Sequence, residues 1–148
     1  MYLGVGRMKT LVSAFGRMNP PHIGHITLID DVVSLSEKLN GTPKVFVSHS
    51  EGNKKNPLPY DMKSRLLNKW TDDVVVIDYD NEVKQPGNIL HYAHKHSFDR
   101  VYLVCGDDRY EEYNKSFIGF ANSRDYFNFD KVEVVRRSNY TNQMTVLK

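Results

Sequence analysis

The sequence is poor in cysteine, carries no excess of either charge and has no long apolar run. Its one cysteine among 148 residues, Cys105, excludes a disulfide within the chain and fits a reducing compartment. Lysine and arginine number 20 against 18 aspartates and glutamates, a net charge of +2 spread along the chain. That balance argues against a nucleic-acid coat protein or a membrane-surface binder, so neither partner is expected. No stretch approaches the roughly 20 apolar residues that cross a bilayer. Residues 1–9 lack the apolar core of a signal peptide, so a cytoplasmic protein is expected. There is no internal repeat and no Pro/Ser-rich linker, so one domain over residues 1–148 is expected. Neither GxxxxGK[ST] nor GxGxxG occurs, which removes support for P-loop and dinucleotide-binding Rossmann readings.

A chain of this length with 40% hydrophobic residues can bury a core without staples. Five stretches read as strands: residues 10–15, 44–48, 74–78, 100–105 and 131–136. The first four are nearly continuous apolar runs, as in strands covered on both faces of a parallel sheet. Helical periodicity falls between them. Ile26, Ile29, Val32, Val33 and Leu39 share one face, and Asn40-Gly41 supplies a stop. Residues 61–70 read as a second helix with Met62, Leu66, Leu67 and Trp70 on its apolar side, and residues 89–96 as a third. In the long connection after the fourth strand, Tyr110, Tyr113, Phe117 and Phe120 recur at helical spacing and read as core packing. Alternating strands and helices predict an α/β fold with a doubly wound parallel sheet of about five strands. Ligands of such sheets bind at the carboxyl ends of the strands, where strand order reverses. The loops after the first and fourth strands, residues 16–25 and 106–109, therefore attract attention.

The first loop reads GRMNPPHIGH. Pro20-Pro21 stiffen it, and Gly24 permits close approach of backbone to a ligand. His25 opens a helix, whose free amides and positive dipole end favour an anion. His22 and His25 can donate to phosphate oxygens, with Arg17 and Asn19 adding a cation and an amide. The residues alone leave open a metal pair or two histidines without a task; no carboxylate or cysteine partners stand near enough in sequence to favour the metal. The cluster HYAHKH, with His91, His94 and His96, reads as a wet helix face rather than a metal site.

GRMNPPHIGH resembles the HxGH signature of the adenylyl- and cytidylyltransferase superfamily, and its form is most similar to archaeal-type nicotinamide mononucleotide adenylyltransferases. Lys55-Asn56-Pro57-Leu58 and the helix after it resemble that group's KNPF segment. Gly106-Asp107-Asp108 resembles the turn that helps hold the nucleotide. The resemblance covers roughly residues 9–110. It implies transfer of AMP from ATP to a phosphate-bearing acceptor, nicotinamide mononucleotide first, with pyrophosphate leaving. CTP, or acceptors such as phosphopantetheine or a sugar phosphate, are the alternatives.

The resemblance also implies roles. His22, His25, Arg17 and Lys63 form the catalytic set, the histidines on the triphosphate. Phe15, Gly16, Asn19, Gly24, Lys54, Lys55, Arg65, Gly106, Asp107 and Asp108 bind the nucleotide, with Lys54, Lys55, Lys63 and Arg65 neutralising the pyrophosphate. Mg²⁺ is expected through the phosphates, with no protein metal ligand, and assembly into a homo-oligomer fits the family. One departure stands out. The ISSTxxR-like motif that follows the family's fifth strand has no close match in Arg137 to Lys148, which leaves a non-catalytic nucleotide-binding module as a further alternative.

Overall fold

A computed structural model describes residues 8–18, 23–49, 58–71, 75–76 and 83–137. The strands are β1 (Thr10–Gly16), β2 (Thr42–Val47), β3 (Val75–Val76), β4 (Arg100–Cys105) and β5 (Lys131–Arg136). The helices are α1 (Ile23–Leu39), α2 (Tyr60–Thr71), α3 (Asn88–Lys95) and α4 (Asp107–Asn122). All strand pairs are parallel, and the order is β3-β2-β1-β4-β5. This is the doubly wound α/β arrangement expected from the sequence, and its order reverses between β1 and β4. A crevice at their carboxyl ends follows from that reversal.

Side-chain alternation on the central strands builds two cores. Leu11 on β1 and Val101, Leu103 and Cys105 on β4 face Ile89 and Leu90 of α3 and Phe117 and Ala121 of α4. Val12, Ala14, Tyr102 and Val104 point the other way, onto Ile29, Val32 and Leu35 of α1 and Leu67 of α2. Both faces are covered, which is why these strands read as unbroken apolar runs. Ser13 is a buried polar residue within β1; its hydroxyl donates to the Tyr102 carbonyl at 2.8 Å, so its burial leaves nothing unpaired. Phe117 of α4 is buried, with Tyr110, Tyr113 and Phe120 packed partly against the same core, as their spacing suggested.

The stop after α1 divides its work between two residues. Asn40 takes the left-handed conformation (φ +54°), and the Gly41 amide donates to the Ser36 carbonyl at 2.7 Å. Gly41 is needed for space instead: a Cβ there would meet the Thr10 carbonyl oxygen at 3.0 Å. The strand after it, β2, begins at Thr42, two residues before the expected start, because Pro43 still pairs in register with Val12.

The second helix corrects the sequence reading. Met62 and Trp70 are 41% and 51% exposed, Leu66 is half-buried, and only Leu67 of the expected apolar side is fully covered. The buried positions are Lys63, Ser64 and Leu67. Hydrophobic spacing misplaced this face because it counts Lys63 and Ser64 as polar positions, although both are buried. His91, His94 and His96 of the HYAHKH cluster are exposed, as expected for a wet helix face. His91 and His94 pack against the ring of Phe127, and His96 against Tyr92.

Leu103 lies at the centre of the first core with no exposure. Leu103→Ala is expected to lower the unfolding free energy by about 2–5 kcal/mol, measured by chemical denaturation.

Candidate active site

The β1–β4 crevice opens into a cavity of about 500 Å³. From β1 and the residue after it come Phe15, Gly16 and Arg17, and from α1 come His25 and Leu28. Cys105 and Gly106 end the β4 side, followed by Asp108, Arg109 and Tyr113 of α4. Val104 of β4, Ser48 after β2, Lys84, Gln85 and Pro86 before α3, and Arg137 after β5 complete the wall.

Arg17 is placed by its backbone. The Ser48 amide donates to the Gly16 carbonyl at 2.8 Å. The Lys63 ammonium donates to the carbonyls of Arg17 at 2.9 Å and Ser48 at 2.8 Å. Met18 follows with φ +49°, a sparsely populated conformation for a side-chain-bearing residue, and its side chain is buried in the second core. Hydrogen bonds to the carbonyls of Gly16 and Arg17 and an apolar anchor at Met18 therefore fix the loop, while the guanidinium remains exposed at the cavity.

Arg137 fixes the opposite side. Its amide donates to the Cys105 carbonyl at 2.6 Å. Its Nε donates to the Asp31 carboxylate at 2.9 Å and its Nη1 to the Gly24 carbonyl at 3.2 Å. Burial pushes the Asp31 carboxyl above the ordinary aspartate range, against the opposing pull of Arg137.

The β4 end combines a close approach with an ionisable wall. Gly106 precedes α4 in extended conformation (φ −75°, ψ 167°), and a Cβ there would come within 2.9 Å of the Asp108 carboxylate. Burial, joined by the nearby Asp108 charge, raises the Cys105 thiol to about 11. Burial likewise pushes the Tyr113 hydroxyl up, so it meets the cavity as a neutral donor.

Of the residues singled out in the sequence, the fold brings Phe15, Gly16, Arg17, His25, Gly106 and Asp108 to one cavity. Gly24 stands behind it, in the first turn of α1, as the carbonyl held by Arg137. Asp107 begins α4 without lining the cavity. Asn19, His22, Lys54 and Lys55 lie outside the described residues. Lys63 differs from its expected role: it is 0% exposed and its ammonium holds two backbone carbonyls beneath the loop. Arg65 also differs, lying on the solvent face of α2 in a pair with Asp61 at 3.5 Å, away from the cavity wall. Ser48, Lys84 and Arg137 were missed; Arg109 lay in the 106–109 loop without a role of its own, and Tyr113 was read as core packing alone. Applying the strand-end rule to every strand, rather than to two loops, points to Ser48 and Arg137.

The sequence matches the family model described as cytidylyltransferase-like over residues 13–147. The chain belongs to the cytidylyltransferase-like family. It is a nucleotidyltransferase by that membership. The match runs past the 9–110 stretch of the motif resemblance and includes the region after β5. No curated protein matches the sequence. Among solved structures, the fold is similar to a candidate nicotinate-nucleotide adenylyltransferase from Vibrio parahaemolyticus. The TM-score is 0.56 at 17% identity, covering 95% of this chain and 81% of that one.

Two outcomes test this geometry. Lys63→Met keeps the apolar stem and strips two carbonyls of their donor, so denaturant unfolding should show a loss of about 2–4 kcal/mol. Cys105 should react slowly with iodoacetamide at pH 8, with about 100-fold less thiolate than a thiol at its ordinary value of 9.0. The raised value places its gain in thiolate on the alkaline side, so the rate should climb about tenfold per pH unit up to pH ~9.5 without levelling.

Proposed function

We propose that the protein transfers AMP from ATP to nicotinamide mononucleotide, forming NAD and releasing pyrophosphate. The observation that carries this reading is the convergence of Arg17, Lys84 and Arg109 with His25 around one strand-end cavity. Cations from three separate elements suit a polyphosphate, whose charge no single side chain neutralises. The choice of acceptor rests on the resemblance of GRMNPPHIGH and Lys55-Asn56-Pro57-Leu58 to the nicotinamide mononucleotide enzymes. The named relative from Vibrio parahaemolyticus is a candidate for chemistry on a closely related nucleotide.

The chemistry is an in-line displacement. An oxygen of the acceptor phosphate forms a bond to the α-phosphorus, and the bond from that phosphorus to the bridging oxygen of pyrophosphate breaks. The nucleophile is already ionised near neutral pH, so the protein needs no general base. Its contribution is alignment of the two phosphates and stabilisation of the charge that builds between them. His25, in the first turn of α1, donates toward the α-phosphate. Arg17 draws on the acceptor phosphate from the β1 side. Lys84 and Arg109 take the departing pyrophosphate, and Tyr113 offers its neutral hydroxyl to the nucleotide. His22, Asn19, Lys54 and Lys55 join this set through the sequence resemblance.

Mg²⁺ would lower the repulsion between the phosphates when bound with the triphosphate. Asp108 on the cavity wall would accept hydrogen bonds from the waters that Mg²⁺ usually keeps.

The test is pyrophosphate release from ATP and from CTP, with Mg²⁺, against nicotinamide mononucleotide, nicotinate mononucleotide, phosphopantetheine and sugar phosphates. Release with ATP and nicotinamide mononucleotide is expected. Release with another pair keeps the displacement and replaces the substrate; silence across the panel supports a non-catalytic nucleotide-binding module. His25→Ala should lower kcat by about 10²–10³-fold while the thermal midpoint stays near that of the parent protein.

A further inference from the structure

Arg137 is turned into the protein although it lines a cavity rich in cations. Its planar fork spans two acceptors on α1: the Asp31 carboxylate at 2.9 Å and the Gly24 carbonyl at 3.2 Å. Gly24 and Asp31 lie seven positions apart, two turns on one helix face, and Leu28 between them also lines the cavity. His25 is the residue after Gly24. The backbone of Arg137 is tied to β4 through the Cys105 carbonyl, next to Gly106. One residue thus joins the end of β4, the end of β5 and the first two turns of α1.

We infer that Arg137 is a positioning residue, which sets the height and tilt of the first turn of α1 and so holds His25 against the cavity, with Asp31 as its fixed anchor. The inference rests on the proposed transfer reaction for its kinetic consequence. Its geometric content stands apart from that reaction. Arginine suits the task because one rigid group reaches two acceptors at a set spacing; lysine would deliver a single point charge. Asp31 is buried, so its carboxylate has little alternative to this partner. A displacement of about 1 Å at a reacting group can cost as much as 10²-fold in rate, so a helix held at one end by one fork is a sensitive control point.

The experiment compares Arg137→Ala, Asp31→Ala and the double variant with the parent protein. Three quantities are read: kcat and KM in the pyrophosphate assay, ATP affinity by calorimetry, and the ¹H–¹⁵N signals of the His25 ring. Each single variant is expected to lower kcat by about tenfold or more, with ATP affinity within about threefold. The double variant should lose no more than the worse single one, because both remove the same link. The His25 ring signals should move in all three variants, while those of His91, His94 and His96 stay in place.

Loss of ATP affinity by about tenfold in Arg137→Ala alone would overturn the inference, since it would make Arg137 a direct ligand contact. Unchanged kcat and unchanged His25 signals with a lowered thermal midpoint would overturn it too, leaving only a structural tie. Additive losses would break the shared link. Where the parent protein turns over no substrate, the transfer reading fails by itself, and the His25 signals still decide the positioning role. If Arg137→Ala does not fold, Arg137→Lys keeps the stem and charge but not the fork, and the same His25 shift is expected.

Discussion

A single buried ammonium holds the entrance of this site together. Lys63 reaches from α2 to the carbonyls that end β1 and β2, and it has no exposure to water. Burying an ammonium is costly unless hydrogen bonds replace its hydration, and these two carbonyls begin that replacement. They sit in the turns where neighbouring parallel strands stop, so the ammonium also fixes how far apart the turns lie. Arg17 leaves the chain at one of them. Met18, in its left-handed conformation, can remain there because its side chain is locked in the core below. The position of the cavity's β1 cation is thus decided by a residue on a helix more than forty positions later.

Much of the fold was legible because it rests on covered strands. Runs such as LVSAF and VYLVC have no hydrophilic face to offer, so they declared a sheet with helices on both sides. The alternation of strands with helices gave the parallel, doubly wound class, whereas the strand order and register came only with the folded chain. Helix α2 was misread for a definite reason. Its buried face is made of Lys63, Ser64 and Leu67, whereas Met62 and Trp70 are largely exposed. Periodicity assigns faces by transfer preference, and a lysine whose ammonium meets carbonyls breaks that assignment without leaving a mark in the sequence.

The site was legible where chemistry and loop coincided. His25, Arg17, Gly106 and Asp108 occur in short segments directly after β1 and β4, and the strand-order reversal brings these segments together. Arg65 resembled a phosphate ligand only through its place in a motif-like helix, and the helix turns it outward to Asp61. Lys84 was invisible for the opposite reason: it precedes α3 in a segment with no recognisable motif, and only the folded chain carries it to the cavity. Arg137 had the weakest signal. It follows β5 in a stretch that departs from the family pattern, yet its fork crosses to α1.

The placement of charge explains why the cavity needs the whole sheet. Arg17 arrives from β1, Lys84 from the loop before α3, and Arg109 from the first turn of α4. No two of them are close in sequence, so no local segment could hold a polyphosphate with this set. Asp108 lies among them, and Gly106 leaves the room its carboxylate occupies. At the first turn of α4 that carboxylate is favoured by the helix dipole, and it tempers the positive field there. Arg17 and Arg109 face the crevice from different walls. The strands that carry them to it, β1 and β4, are neighbours in the sheet, so that one pairing sets the distance between the two walls.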